Sequence, residues 1–142
     1  MIDQRFIIDT NVLSELAKPT PDDQVIDWFR HLQVPTTSAV VCYELARGVE
    51  RLSRGKRRTF LESWLAELLL ATEVLPVDEA TALAAARIES AAQRSGRTIE
   101  VRDLLVVATA QAHDCAVATR NVDHMRGLGV VIYDPFTDLR TM

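Results

Sequence analysis

A chain of 142 residues, 48% hydrophobic and 25% charged, has the size and balance of one globular domain spanning residues 1–142. That excludes a disordered tail or a disulfide-stapled miniprotein. The formal net charge of -4 excludes a simple basic coat for nucleic acid, so any such contact must come from a local basic patch. Cys42 and Cys115 form no CxxC pair or zinc-ligand spacing; they read as buried small apolar residues, compatible with a reducing compartment.

Met1 to Arg5 lacks the basic-then-apolar pattern of a secretory leader. No window approaches the ~20 apolar residues of a bilayer span, so the expected location is the cytoplasm. Phe6-Ile7-Ile8 is a short apolar run that stops at Asp9 and predicts a buried strand. A helix is expected over Asn11 to Lys18, ended by Pro19, and another is expected to start at Thr20-Pro21-Asp22-Asp23 with Thr20 as its cap. Val34 to Thr37 predicts the second strand, and Ser38 caps a helix carrying Val41, Leu45, Val49 and Leu52. A helix from about Arg57 to Leu70 precedes a third strand, Glu73 to Val77. Asp78 then caps an alanine-rich helix that ends near Ser95, with Gly96 just beyond. Asp103 is expected to open an apolar helix, Leu104 to His113. Cys115 to Ala118 and Gly129 to Ile132 supply the fourth and fifth strands. The alternation predicts an α/β fold, a five-stranded parallel sheet with helices on both faces.

The carboxylates stand at telling places in this order. Asp9 follows an apolar strand, where open α/β sheets place their ligands, and Asn121 and Asp123 follow the fourth strand in the same way. Glu44 lies in a helix among Val40, Val41 and Leu45, where a carboxylate is costly unless paired or bound to a cation. Asp103 precedes an almost wholly apolar segment. Each acid alone has an ordinary reading as a helix cap, a first-turn acid or a border residue. Together they can converge on one end of the sheet, and an all-oxygen ligand set suits Mg²⁺ or Mn²⁺.

These residues resemble a known family. Phe6-Ile7-Ile8-Asp9-Thr10-Asn11-Val12-Leu13 is similar to the opening strand and first acid of PIN-domain proteins. Ser38 to Gly48, with Glu44 four residues before the glycine, resembles their second motif. Asp103-Leu104-Leu105-Val106-Val107-Ala108-Thr109-Ala110 resembles the third, and Ala118-Thr119-Arg120-Asn121 followed by Gly127-Leu128-Gly129-Val130 the fourth. Size and motif spelling look most like the VapC-type toxins of toxin–antitoxin pairs, including the FitB-like branch. The resemblance implies a metal-dependent endoribonuclease, usually homodimeric, that cleaves RNA with Mg²⁺ or Mn²⁺ and is restrained by a small cognate antitoxin. It assigns Asp9, Glu44 and Asp103 to the metal and the catalysis, and Asn121 to the fourth catalytic position. Thr119 then lies at the substrate side of the metal site. Asp123 comes two residues after Asn121 instead of three, which leaves open which of the two faces the site.

Arg47, Arg51, Arg54, Lys56, Arg57 and Arg58 form a basic cluster starting on the helix of Glu44. Arg47 and Arg51 are the expected contacts to an RNA backbone, although a solvated helix end explains the cluster equally well. His31, His113 and His124 share no ligand spacing, while Trp28 and Trp64 read as packing residues. The alanines at 80, 82 and 84–86 suggest close helix packing, within the chain or at a dimer seam.

Competing chemistries fail on particular residues. An aspartyl-phosphate phosphatase needs an acid where Asn11 stands, and a receiver domain needs paired acids and a late lysine, but no lysine follows Lys56. The alternative to a nuclease is a catalytically weak PIN-like module that binds RNA or protein. An inhibitor of either reaches the site best with an arginine placed among Asp9, Glu44 and Asp103, since its planar fork matches carboxylates.

Overall fold

In the computed structural model, residues 4–142 are described; the reading of Met1, Ile2 and Asp3 as ordinary chain start lies outside them. Phe6–Ile8 is β1, fully buried, as an apolar run with no alternation requires of a central strand. β2 (Thr36–Ser38) lies parallel on one side of it and β4 (Ala116–Ala118) parallel on the other, with Ile7 opposite both Thr36 and Val117. β3 (Glu73–Leu75) and β5 (Ile132–Asp134) extend the parallel sheet outward. The strand order is β3-β2-β1-β4-β5-β6.

The sixth strand is a correction to the expected five. β6 (Leu139–Thr141) runs antiparallel to β5 after a tight turn. Asp134 builds that turn, its carboxylate accepting from the Phe136 amide at 2.8 Å and the Thr137 hydroxyl at 3.1 Å, and Asp138 takes a left-handed φ of 67° to close it. Leu139-Arg140-Thr141 is largely exposed, so it carries no apolar run to betray it.

Several boundaries also move. The helix expected at Asn11 to Lys18 is α1 (Thr10–Glu15), capped by Asp9. α2 (Asp23–Arg30) is capped by Asp22 rather than Thr20, since the Asp22 carboxylate accepts from the amides of Gln24 and Val25. Ser38 caps α3 (Ala39–Glu50) as expected, accepting from the Val40 amide at 3.1 Å. α4 (Lys56–Leu70) follows. Asp78 caps α5 (Glu79–Arg94), and Gly96 supplies the left-handed turn beyond it at φ 79°. α6 (Val101–Ala112) begins two residues before Asp103, with Glu100 at its cap position. Asp103 therefore sits inside the first turn with Arg102 beside it. The short α7 (Val122–Met125) follows β4. β5 starts at Ile132 because Gly127 and Gly129, at φ 80° and 95°, turn the chain first.

The core is built by Ile7, Ile8, Val12, Leu13, Val106, Val107, Val117 and Ile132, all fully buried. The alanines of α5 divide: Ala84 and Ala85 are buried with Thr81, Ile88 and Ala92 at helical spacing, on a helix that packs on α6, while Ala80, Ala82 and Ala86 are exposed. Cys115 is buried, but Cys42 is only partly so, and both are free thiols. Trp28 meets Phe6 edge-on at 5.3 Å between ring centres, and Trp64 packs against the core. Among the described residues, no helix is long and apolar enough to cross a membrane.

Candidate functional site

The sheet reverses its building direction at β1, with β2 on one side and β4 on the other. That is the crevice where such sheets gather ligands, outside the carboxyl ends of the strands. The first residue past β1 is Asp9 and the first past β4 is Thr119; both are fully buried. The Asp9 amide donates to the Ala118 carbonyl at 2.9 Å, locking the two strand ends together.

Asp9 is held from several directions. One carboxylate oxygen accepts from the Thr10 amide at 2.8 Å as the α1 cap. The other accepts from the Thr119 hydroxyl at 2.6 Å and from the Asn11 side-chain amide at 3.4 Å. Asn11 also donates to the Thr119 hydroxyl at 3.2 Å and accepts from the Arg120 amide at 3.0 Å, which ties the two loops to each other. Such outer bonds fix a carboxylate's direction before anything binds it.

Glu44 reaches the same place from α3. Its carboxylate accepts from the Thr10 hydroxyl at 2.5 Å. Asp103 reaches it from the first turn of α6, three residues past the Glu100 cap. Between the three acids lies a cation that the sequence reading missed. The Arg102 guanidinium donates from Nη1 to Asp103 at 2.9 Å, from Nε to Glu44 at 2.8 Å, and from Nη2 to Glu44 at 2.6 Å. Nη2 also donates to Asp9 and, at 3.1 Å, contacts the Thr10 hydroxyl. The place foreseen for an inhibitor's arginine is taken by the chain's own. One signal was available: a basic residue in a helix's first turn opposes the helix dipole, so Arg102 needs acids nearby to justify it.

The electrostatics follow this geometry. Burial pushes the Glu44 carboxyl upward, but the hydrogen bonds from Arg102 and Thr10 outweigh it and hold Glu44 below the usual carboxylate range. Burial disfavours the charged guanidinium, yet Glu44, Asp9 and Asp103 raise Arg102 well above the ordinary arginine value, so it stays a cation. Among the described residues every buried side-chain polar atom has a hydrogen-bond partner.

A metal fits this donor set by chemistry, because three carboxylates from three elements already converge on one positive charge and offer only oxygen. As placed around the guanidinium, however, no three acid, imidazole or thiol groups among the described residues close on a single ion. Arg102 stands between them, with a nitrogen on each carboxylate.

The remaining expected site residues divide. Thr119 is fully buried and gives its hydroxyl to Asp9, which fixes the direction of that acid. Asn121 is exposed at the start of α7 and makes no side-chain cap bond there. Asp123 is exposed too and pairs with Arg126 at 3.4 Å. Neither side chain is hydrogen-bonded to the acids, although the Asn121 amide donates to the Thr119 hydroxyl at 3.0 Å; the ring of His124 lies 4.0 Å from Asp103. Arg47 lies one turn from Glu44 and over the Tyr43 ring at 5.6 Å, beside a groove of about 620 Å³ lined by Val40, Val77, Val101 and Leu105. Arg51 is exposed at the end of α3. Arg58 leaves the basic cluster: it pairs with Glu50 and Glu62 and donates to the carbonyls of Glu50 and Leu52, pinning the α3–α4 loop. A larger cavity, about 890 Å³, lies away from the acids, lined by Arg5, Trp28, Glu73, Tyr133 and Arg140.

Residues 6–127 match the PIN domain family. The chain is a PIN-domain protein. This PIN-domain chain is 34% identical over 138 residues to the toxin FitB of Neisseria gonorrhoeae, covering 94% of this chain and 99% of the relative. It is 37% identical over 136 residues to the VapC ribonuclease Y4jK of Sinorhizobium fredii, covering 92% and 97%. The crystal structure of FitAcB from Neisseria gonorrhoeae superposes with a TM-score of 0.87 at 33% identity, over 92% of this chain and 98% of that one. DNA-bound VapBC from Salmonella typhimurium shares the fold, with a TM-score of 0.81 at 21% identity over 94% and 99% of the two chains.

Proposed function

We propose that this PIN-domain chain is a Mg²⁺- or Mn²⁺-dependent endoribonuclease, the toxin of a toxin–antitoxin pair, acting in the cytoplasm as a homodimer restrained by a small antitoxin. The observation that carries the nuclease reading is the convergence of Asp9, Glu44 and Asp103 on one cation at the carboxyl end of β1. The relatives named as a toxin and as a VapC ribonuclease support the biological half of it.

In this reading Asp9, Glu44 and Asp103 hold the ion. When bound, it supplies Lewis-acid charge at phosphorus and an acidified water. Thr119 and Asn11 keep Asp9 aimed inward, and Thr10 steadies both Asp9, through its amide, and Glu44, through its hydroxyl. Arg47 and Arg51, on the helix of Glu44, hold the RNA backbone by charge. The groove beside Glu44 receives apolar residues of the antitoxin.

The test is partner-free protein incubated with a mixed RNA pool under Mg²⁺, Mn²⁺ or chelator, with Asp9→Asn alongside. Cleavage that needs metal and Asp9 supports the proposal, and cleavage untouched by chelator or by the substitution refutes it. A second reading, an RNA- or protein-binding module without cutting, is favoured by one observation: the cation seat is filled by Arg102. Such a module binds its partner equally with and without metal and leaves RNA whole.

A further inference from the structure

Arg102 is bonded to all three acids of the cluster, and its Nη2 lies between Asp9 and Glu44, in contact with both. Its side chain is about one-fifth exposed, so it enters from the rim instead of being walled in. It comes from the residue next to Asp103 in the first turn of α6. Side-chain rotation alone therefore moves it, with no change in the helix.

A hard ion needs the same oxygens that the guanidinium now engages. Metal–oxygen bonds of about 2.0–2.1 Å cannot form in the gap that Nη2 fills, 2.6 Å from the Glu44 oxygen. The two cations would also repel at contact distance. Beside the acids lies a way out: Arg102 itself borders the groove formed by Val40, Tyr43, Val77, Val101 and Leu105. The aliphatic stem of an arginine packs well on such apolar walls while its head stays in water.

We infer that Arg102 is a built-in competitor of the catalytic metal, a resident counter-ion that holds Asp9, Glu44 and Asp103 together without an ion and must swing into the adjoining groove before an ion binds. The inference rests on the metal-site reading above. Arg102 keeps the acid cluster folded when metal is scarce and sets a threshold concentration for loading the site. Because the two cations exclude each other, removing one strengthens the binding of the other by the same coupling.

Two measurements test it without relying on turnover. Calorimetric titration of Mg²⁺ into wild type and Arg102→Gln compares affinities, with about tenfold tighter binding expected in the variant. In the same variant, melting without metal falls and added Mg²⁺ restores it by a larger shift than in wild type. If Arg102→Gln does not fold, the wild type suffices. Its Arg102 Nε–H resonance is expected to be protected from exchange without metal, and Mg²⁺ should shift it and remove the protection. Equal affinities in the two proteins, or Mg²⁺ binding that leaves the Arg102 resonance unmoved, overturn the inference while the metal site stands. Mg²⁺ binding to neither protein removes the metal site and the inference together.

Discussion

Asp9 is at once a helix cap, an acceptor for Thr119 and a partner of Arg102, so replacing it removes several bonds together. From the sequence alone, neutralising one acid of a crowded cluster is expected to relieve repulsion. The guanidinium reverses that sign. Asp9→Asn should lower stability by about 1–3 kcal/mol in the absence of metal, because it weakens buried bonds and leaves a partly buried cation less compensated; thermal or urea unfolding measures it. Thr119→Val, which deletes only the hydroxyl that aims Asp9, should cost about 10–100-fold in metal affinity or cleavage with a smaller loss of stability. Glu44 gives a pH signature. Its folded-state pKa lies below the ordinary value, so the stability it lends is present above about pH 4.3, the unfolded value, and drains away as pH falls through the lower folded value. Wild type should lose melting temperature steeply below about pH 4.3, and Glu44→Gln should flatten that slope. Asp9, Glu44 and Asp103 were legible in the sequence because each breaks the apolar pattern of its own segment. Arg102 was not, because its meaning lies in residues 58 and 93 positions away, which no local pattern contains.

The helices were legible where the cap chemistry is local. Ser38, Asp78 and Gly96 sit within three residues of what they cap, and all three were read correctly. The α2 start was misplaced because Thr20 and Asp22 both offer capping oxygens, and only the fold decides that Asp22 takes it. The Asp22 amide donates to the Glu15 carboxylate at 2.9 Å, which draws the end of α1 against the start of α2. The third acid was displaced by the same kind of ambiguity, since both Glu100 and Asp103 can start α6. At this scale the basic cluster separates into two roles. Arg58→Ala should unpin the α3–α4 loop and lower stability by about 1–2 kcal/mol, mostly through the carbonyl bonds since Glu50 and Glu62 are exposed. Arg47→Ala and Arg51→Ala should leave the melting temperature nearly unchanged and weaken RNA binding in a salt-dependent way. A fall in stability with those two and none with Arg58→Ala would invert the assignment. On α5, Ala85→Leu should cost about 1–3 kcal/mol, because its face already packs on α6.

For the whole molecule, the α/β class and the parallel part of the sheet followed from the alternation of apolar runs with helix signals. The antiparallel β6 did not, since Leu139-Arg140-Thr141 is largely exposed, carries no apolar run and owes its place to the turn that Asp134 builds. The relatives named as a toxin and as a VapC ribonuclease set the prediction at this scale. Expression of the chain alone should arrest growth, and co-expression of a small neighbouring reading frame should rescue it. The partner should bind less tightly to Asp9→Asn or Asp103→Asn if it delivers a cation to the acids. Harmless expression with no small partner recovered from the native host would rule out the toxin role while leaving nuclease activity open to the RNA assay.

The bond between Asp9 and Thr119 joins residues 110 positions apart, and β1 finds β4 only across that same distance. A ribosome releases Asp9 long before Thr119 emerges. Until then the first strand lacks one of its two neighbours, and the acid lacks the hydroxyl that aims it. Pairings so far apart in the chain also form slowly. The pocket around Asp9 is thus incomplete through most of the chain's synthesis, and a chain that stops anywhere before β4 lacks both the neighbouring strand and the Thr119 hydroxyl. From the order of its strands alone, the chain gains a delay written into translation: its acid pocket closes only after the ribosome has passed β4.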